Sequence, residues 1–94
     1  MNISEFVLKN AIIRYGIVLF DANNAIEFIN LCKKGNLTIL GIDAFLLYED
    51  GKIQPVLEHS IDFSYDVSGD IWCKASEFIK SKKTPYHYEI VLRQ

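Results

Sequence analysis

The chain has 94 residues, of which 50% are hydrophobic and 13% aromatic, and its formal net charge is -2. This composition supports one buried core and excludes a largely disordered chain. The small negative charge provides no general attraction to nucleic acid or to an anionic membrane, so direct binding to either is not expected. We therefore expect a single domain over residues 1–94.

The N-terminal segment MNISE lacks the basic residues of a secretory signal. The longest apolar runs, residues 6–20 and 37–48, are interrupted by polar or charged residues and are shorter than the roughly 20 residues that span a bilayer. We expect a soluble cytoplasmic protein. Its two cysteines, Cys32 and Cys73, are then predicted to be free thiols in a reducing compartment.

Apolar residues at helical spacing predict a first helix that begins at Ser4 or Glu5 and ends at Gly16. Its inward stripe contains Val7, Leu8, Ala11, Ile12 and Tyr15. Phe6 and Ile13 project from the other side of this predicted helix. The apolar run at residues 17–20 is too short to separate a strand from an extended connection.

A second helix is predicted after Asp21, Asn23 or Asn24, whose side chains are good N-caps. Its inward stripe contains Ala22, Ala25, Ile26, Phe28, Ile29 and Cys32, with Leu31 left among the polar positions. Gly35 is expected to close this helix in a left-handed conformation. A long strand follows at residues 37–49, and its apolar residues on both faces predict a central position in a sheet. Gly41 suggests a bulge or a close approach of another backbone.

Asp50 and Gly51 predict a two-residue hairpin loop, and Pro55 assigns the return strand to a sheet edge. Residues 61–66 alternate as a half-buried strand, a third helix follows a cap at Ser68 or Asp70, and residues 86–93 form a final strand. The apolar stripe of the third helix contains Ile71, Trp72, Ala75, Phe78 and Ile79, with Trp72 partly covered at its flank, and Cys73 is expected to be the more exposed thiol. The predicted fold is α+β, with about three helices packed on a mixed, mostly antiparallel sheet of four to five strands.

The sequence contains no recognisable catalytic or metal-binding motif. Neither cysteine has a partner at zinc-ligand spacing, the glycines form no phosphate loop, and His59, Asp62 and Asp66 do not converge on a predicted strand. No metal, cofactor or catalytic residue is expected. A pairing of Cys73 with His59 or His87 stays open as an enzymatic hypothesis, because only the fold decides whether they meet.

Acidic residues are concentrated in the middle of the chain. The stretch from Asp43 to Asp70 has one basic residue, Lys52, and seven acids: Asp43, Glu49, Asp50, Glu58, Asp62, Asp66 and Asp70. These acids are either the solvated side of turns and an outer strand, or one patch that attracts a basic partner. Tyr48, Tyr65 and Trp72 lie close to them in sequence and are candidate aromatic anchors.

The run AIEFINLCKKGNLTILGIDAF, followed after the hairpin by DIWCKASEFIK, resembles immunity proteins of bacterial polymorphic-toxin and contact-dependent growth inhibition systems. The resemblance covers roughly residues 15–79. Its matching positions are Ile39, Leu40, Gly41, Asp43, Trp72, Cys73, Ala75 and Phe78. It implies a non-enzymatic protein that binds and neutralises one cognate toxin domain. Many such toxins are nucleases with basic grooves, which an acidic surface would suit.

The leading hypothesis is therefore a toxin inhibitor whose partner has a basic surface. The candidate partner-binding residues are Asp43, Glu49, Asp50, Asp62, Tyr65, Asp66, Asp70 and Trp72. The alternative is a small homo-oligomeric adaptor or structural domain that associates through exposed Phe6, Ile13 and Leu31. The sequence leaves the choice between monomer and homodimer, and the identity of the toxin, open.

Overall fold

A computed structural model of the chain describes residues 2–64 and 69–93. Its elements are α1 (Ile3–Asn10), β1 (Ile12–Arg14), β2 (Ile17–Leu19), α2 (Ala22–Lys34), β3 (Ile39–Leu47), β4 (Ile53–Pro55), a 3-10 turn (Leu57–His59), β5 (Ile61–Asp62), α3 (Ile71–Lys80) and β6 (His87–Leu92). The predicted α+β architecture of three helices on a mostly antiparallel sheet is confirmed. No helix in the described part of the chain is both long enough and apolar enough to cross a membrane.

The central strand of the sheet is β3, as predicted. It pairs with β6 along one edge and with β4 and then β5 along the other, and each of these pairings is antiparallel. Pro55 lies in β4 at the sheet edge, also as predicted. On the far side of β6, the hairpin of β1 and β2 is attached by a bridge in which Phe20 and Tyr88 exchange two main-chain hydrogen bonds of 2.9 and 2.8 Å.

The three helices share one core against one face of the sheet. Phe20 and Phe28 stack with their ring centroids 4.8 Å apart, and Phe6 lies 5.7 Å from Phe20. The other buried members are Ala25, Ile29, Cys32, Ile39, Ile42, Ala44, Phe63, Ala75, Ile79 and Tyr88. The helical stripes of α2 and α3 thus meet the inward side chains of β3 and β6, which fixes the helix-covered face.

The first predicted helix is wrong in its extent. Asn2 caps α1 by accepting a hydrogen bond from the Glu5 amide, and the helix ends at Asn10. Tyr15 (φ 54°) and Gly16 (φ 77°) instead form the two-residue loop of the β1–β2 hairpin. Two successive positive φ angles match the twist of antiparallel strands, and this type of turn favours glycine at its second position. The apolar run at residues 17–20, which the sequence left open between a strand and an extended connection, contains β2.

The surface expected for a homo-oligomeric adaptor is also corrected. Phe6 is 4% exposed within the aromatic core, and Leu31 is half-buried against the same core. Ile13 is 54% exposed, but it lies on β1 and not on a helix shared with Phe6. The three residues therefore do not form one exposed apolar interface.

The end of α2 is a Schellman motif in which Asn36, and not Gly35, adopts the left-handed conformation. Gly35 has φ -87°, whereas Asn36 has φ 55°. The Leu37 amide donates to the Cys32 carbonyl at 2.8 Å, and the Asn36 amide donates to the Lys33 carbonyl at 3.1 Å. These bonds satisfy the free carbonyls at the helix end and turn the chain directly into β3. Asp21, one of the three predicted N-caps, caps the other end.

The loop between β3 and β4 has three residues and not the predicted two. The Tyr48 amide donates to the Lys52 carbonyl, and the Gly51 amide donates to the Tyr48 carbonyl. Gly51 takes the left-handed position with φ 87°. This arrangement is a turn followed by a glycine bulge, the usual form of a three-residue hairpin. The strand predicted at 61–66 contains β5 at residues 61–62, and residues 65–68 lie outside the described part.

Candidate functional site

The sheet face opposite the helices carries the outward side chains of the central strands, and we call it the outer face. Asp43 and Phe45 of β3 lie opposite Glu89 and His87 of β6, and Gly41 lies opposite Asp62 of β5. Because paired residues project on the same side, these positions share one face.

The β1–β2 hairpin covers one end of the outer face. Leu19 is fully buried and Phe45 is 6% exposed, yet neither belongs to the helix-facing core. The Arg14 Nε atom lies 3.6 Å from the position that a Cβ at Gly51 would occupy, so the hairpin reaches the β3–β4 turn. The helices occupy the inner face, and the hairpin must therefore cross the outer one.

The other end of the outer face forms a hollow centred on Gly41, which we call the Gly41 hollow. Its volume is about 290 Å³, and its lining includes Asp43, Ile61, Asp62 and Val91. The missing side chain at Gly41 leaves the floor open. The same glycine permits a close backbone approach, because a Cβ there would lie 2.8 Å from the Ile61 carbonyl oxygen. The β3 register also shifts between Ile39 and Gly41. Both structural features suggested by the glycine are therefore present.

Two carboxyl groups line this hollow, and a third lies beside it on β6. Asp43 and Asp62 line it, and Glu89 stands directly opposite Asp43 on β6. Partial burial raises the pKa of Glu89, and the nearby charge of Asp43 and a hydrogen bond to it raise that pKa further. Asp62 is exposed and accepts a hydrogen bond from the Ser64 amide at 2.8 Å, and hydrogen bonding by Ser64 lowers its pKa. The hollow is therefore acidic, and the Glu89 carboxyl beside it resists ionisation.

The predicted acids at the hairpin tip lie elsewhere. Glu49 and Asp50 are exposed in the β3–β4 turn, about 20 Å along β3 from Asp43 at the usual rise per strand residue. Asp50 is 3.7 Å from the Lys52 ammonium, in an exposed ion pair. With Arg14 approaching the same turn, the tip is a mixture of both charges.

Asp70 lies between the start of α3 and the end of α2. It caps α3 by accepting from the Cys73 amide at 2.9 Å, and it lies 3.9 Å from the ammonium of Lys33 in the last turn of α2. Folding thus places Lys33 beside the acidic stretch from Asp43 to Asp70, which contains only one basic residue of its own. The fold brings Asp43 and Asp62 together, while Asp70 has a cap and an ion pair of its own.

The predicted aromatic anchors differ in accessibility. The Trp72 indole is half-buried and donates to the Leu37 carbonyl at 2.9 Å, so it joins α3 to the start of β3. Tyr48 is 46% exposed near the hairpin tip, with its hydroxyl 2.6 Å from the Gln54 side chain. Tyr65 and Asp66 lie outside the described residues. Among these aromatic residues, Tyr48 is the more exposed of the two that the structure describes.

The cysteines do not suggest a nucleophile. Cys73 is exposed, and the Glu77 carboxylate 3.7 Å from its sulfur is the main cause that raises the pKa of the thiol. Burial raises the pKa of Cys32 to about 11. A helix N-terminus and a nearby cation activate cysteines by depressing the pKa, but at Cys73, in the first turn of α3 and near Lys33, Glu77, burial and Asp70 outweigh these effects. No cluster of His, Cys, Asp and Glu residues suited to a metal occurs within residues 2–64 and 69–93.

Glu89 is the residue of this site that the sequence did not single out. Its strand was predicted, but the acid opposite it is 46 positions away, and only the strand register places the two together. No family model matches the chain, and a comparison with curated proteins finds no match.

Proposed function

We propose that the chain is a cytoplasmic immunity protein that binds a cognate toxin domain and neutralises it, with the Gly41 hollow as the centre of the binding surface. The observation that carries this proposal is that Asp43 and Asp62 line one hollow on a helix-free part of the sheet, with Glu89 paired to Asp43 beside it. A basic side chain of the toxin fits such a site both in charge and in shape. Three positions of the family resemblance, Leu40, Gly41 and Asp43, lie at this hollow.

The chemistry favours a guanidinium or an ammonium group in the hollow. A cation placed between Asp43 and Asp62 would form charge-assisted hydrogen bonds, which are stronger than those between neutral groups. It would also relieve the repulsion between Asp43 and Glu89, because an added positive charge favours the ionised form of both. The exposed acids at the tip would contribute longer-range attraction during encounter. Nuclease domains have basic surfaces of this kind and are the favoured toxin class.

Co-expression provides the test. A toxin domain encoded next to this chain would be expressed with and without it, and cell growth and complex formation would be measured. The expected result is growth rescue together with a one-to-one complex by size-exclusion chromatography. A toxic domain that is neither bound nor inhibited would reject the proposal for that pair.

The adaptor hypothesis has less support, since Phe6 is buried, Leu31 is half-buried and Ile13 lies on a different element. The enzymatic hypothesis has less support as well, because the neighbours of Cys73 disfavour its thiolate. Light scattering of the purified chain tests the adaptor hypothesis. A stable dimer that dissociates in the Ile13→Asp variant would support it.

A further inference from the structure

His87 lies at the end of the outer face that the β1–β2 hairpin covers. It pairs with Phe45 of β3, which is 6% exposed, and paired residues project on the same side of a sheet. His87 directly precedes Tyr88 in the chain, and Asp21 directly follows Phe20. The histidine therefore stands where the Phe20–Tyr88 bridge joins the hairpin to β6.

One ring nitrogen of His87 is buried without a partner. Its Nδ1 atom has no hydrogen-bond partner among the described residues. A neutral imidazole has one donor and one acceptor nitrogen, whereas the protonated ring has a donor at both nitrogens and a positive charge. A buried charge is far more costly than a buried neutral group unless it is paired. The closed structure thus accommodates the neutral ring better than the protonated one.

The charged groups around His87 act in opposite directions. Burial lowers the pKa of His87, and the charge of Asp21 offsets this only in part. Asp43 and Glu89 occupy the next paired position along the outer face and share a hydrogen bond with each other. Arg14 of the hairpin is a cation and cannot stabilise a second one. Protonation of the ring therefore favours a form in which water reaches it.

The two layers on either side of the His87 position differ in how firmly they are attached. The hairpin is joined to β6 by one bridge with two main-chain hydrogen bonds, between Phe20 and Tyr88. The strands β3 and β6 are paired at six positions. The hairpin is the weaker attachment, so it should yield first when the ring becomes charged.

We propose that His87 is an acid-sensitive switch, in which the neutral ring keeps the β1–β2 hairpin closed on β6 and the protonated ring loosens the Phe20–Tyr88 bridge. The closed form binds fewer protons than the open form at pH values below the ordinary histidine range, so opening becomes more favourable as the pH falls. The switch needs no partner protein and does not involve the Gly41 hollow. It therefore stands or falls independently of the proposed immunity function.

NMR on the free protein tests the switch. The ring protons of His87 report its ionisation, and amide hydrogen exchange reports opening of the bridge. The protection of the Phe20 and Tyr88 amides should fall between about pH 7 and about pH 5, relative to that of the Val56 amide. Val56 donates to the Ala44 carbonyl at 2.8 Å on the other edge of β3. The expected loss is up to about tenfold for each unit by which the pKa of His87 lies below its ordinary value.

Matched variants assign the effect to His87. His87→Gln removes the titrating group and should make the relative protection of Phe20 and Tyr88 independent of pH over this range. His59→Gln replaces the other histidine of the chain and should retain the wild-type behaviour. If His87→Gln does not fold, Asp21→Asn supplies the comparison, because asparagine still caps a helix but lacks the charge that favours the protonated ring. The loosening should then require a lower pH than in the wild type.

Three outcomes would overturn the proposal. In the first, the His87 ring ionises while the Phe20 and Tyr88 amides keep their protection relative to Val56. In the second, the loss of protection persists in His87→Gln. In the third, it occurs at the same pH in Asp21→Asn as in the wild type.

Discussion

Asp43 and Glu89 face each other across the β3–β6 ladder, two acids at a directly paired position on the outer face. Like charges placed directly opposite each other destabilise a sheet. Partial burial, and then the charge of Asp43 and a hydrogen bond to it, raise the pKa of Glu89, so that its proton is held more tightly than in the unfolded chain. This pairing has a measurable consequence for stability.

The free energy of unfolding should decrease as the pH rises from the ordinary glutamate pKa to the raised pKa of Glu89. Between these two values the folded state binds more protons than the unfolded state, and stability therefore falls with pH. Glu89→Gln should flatten this part of the profile and leave the protein at least as stable at neutral pH. Urea unfolding over a pH series measures the effect.

Glu27→Gln, on the exposed side of α2, is the matched control for Glu89→Gln. In Glu27→Gln, the free energy of unfolding should change with pH as steeply as in the wild type. Parallel profiles for wild type and Glu89→Gln would contradict the assignment of this pH dependence to Glu89.

Asp62→Lys should slow association with the cognate toxin domain by on the order of tenfold at low salt. The substitution reverses a charge beside the Gly41 hollow, and the deficit should shrink as salt screens the attraction. Stopped-flow or surface plasmon resonance gives the association rate. Glu27→Lys makes the same charge change on the helical layer and should have a much smaller effect, and equal slowing by the two variants would mean that net charge alone acts.

Gly41→Ala should cost about 1–3 kcal/mol of unfolding free energy, as expected for overpacking. Its Cβ would lie 2.8 Å from the Ile61 carbonyl oxygen, and that atom belongs to a paired strand that resists displacement. Gly35→Ala is the matched control, since its nearest contact would be 3.6 Å and its φ is -87°. The control should change stability by less than about 1 kcal/mol. Equal urea midpoints for the two variants would show that β5 can move.

Asn36→Ala should destabilise the protein by about 1 kcal/mol, because a left-handed conformation is costly for alanine. Asn36→Gly should be neutral or slightly stabilising, since glycine adopts φ 55° without that penalty. Thermal unfolding of the two variants distinguishes them. A stabilising alanine would mean that the Schellman turn after α2 is not the native conformation.

Glu77→Gln should accelerate alkylation of Cys73 at pH 8. The Glu77 carboxylate is the largest cause that raises the pKa of this thiol, so removing its charge should increase the thiolate fraction. Iodoacetamide kinetics read by mass spectrometry provide the rate, with Glu27→Gln as control. Cys32, fully buried, should react only on unfolding. A Cys73 that is already hyper-reactive in the wild type would instead support the enzymatic hypothesis.

Helix and strand identity was predictable where the apolar period was long and the ends carried caps. The stripe of α2 from Ala25 to Cys32 and the caps at Asp21 and Asp70 follow from local chemistry. The N-terminal hairpin was not predictable in the same way. Ala11, Ile12 and Tyr15 continue a helical period by chance, and a two-residue turn at Tyr15 and Gly16 interrupts it.

Less of the candidate site than of the fold could be predicted from the sequence. Asp43 and Asp62 were identified from the run of acids, but their neighbours depend on strand register. Register brought in Glu89 from β6, and packing of α2 against α3 brought Lys33 to Asp70. Such long-range pairings depend on the summed packing of the core, which a local pattern does not contain.

The Phe20–Tyr88 bridge also constrains the order in which the chain folds. Its two residues are 68 positions apart, and β6 lies between the N-terminal hairpin and the central strand. During synthesis, the edge of the hairpin that faces β6 can be paired only after residues 87–92 have been made. Long-range closure of this kind slows folding. The nascent chain consequently leaves the outward edge of β2 unpaired until β6 emerges, and an unpaired strand edge favours aggregation.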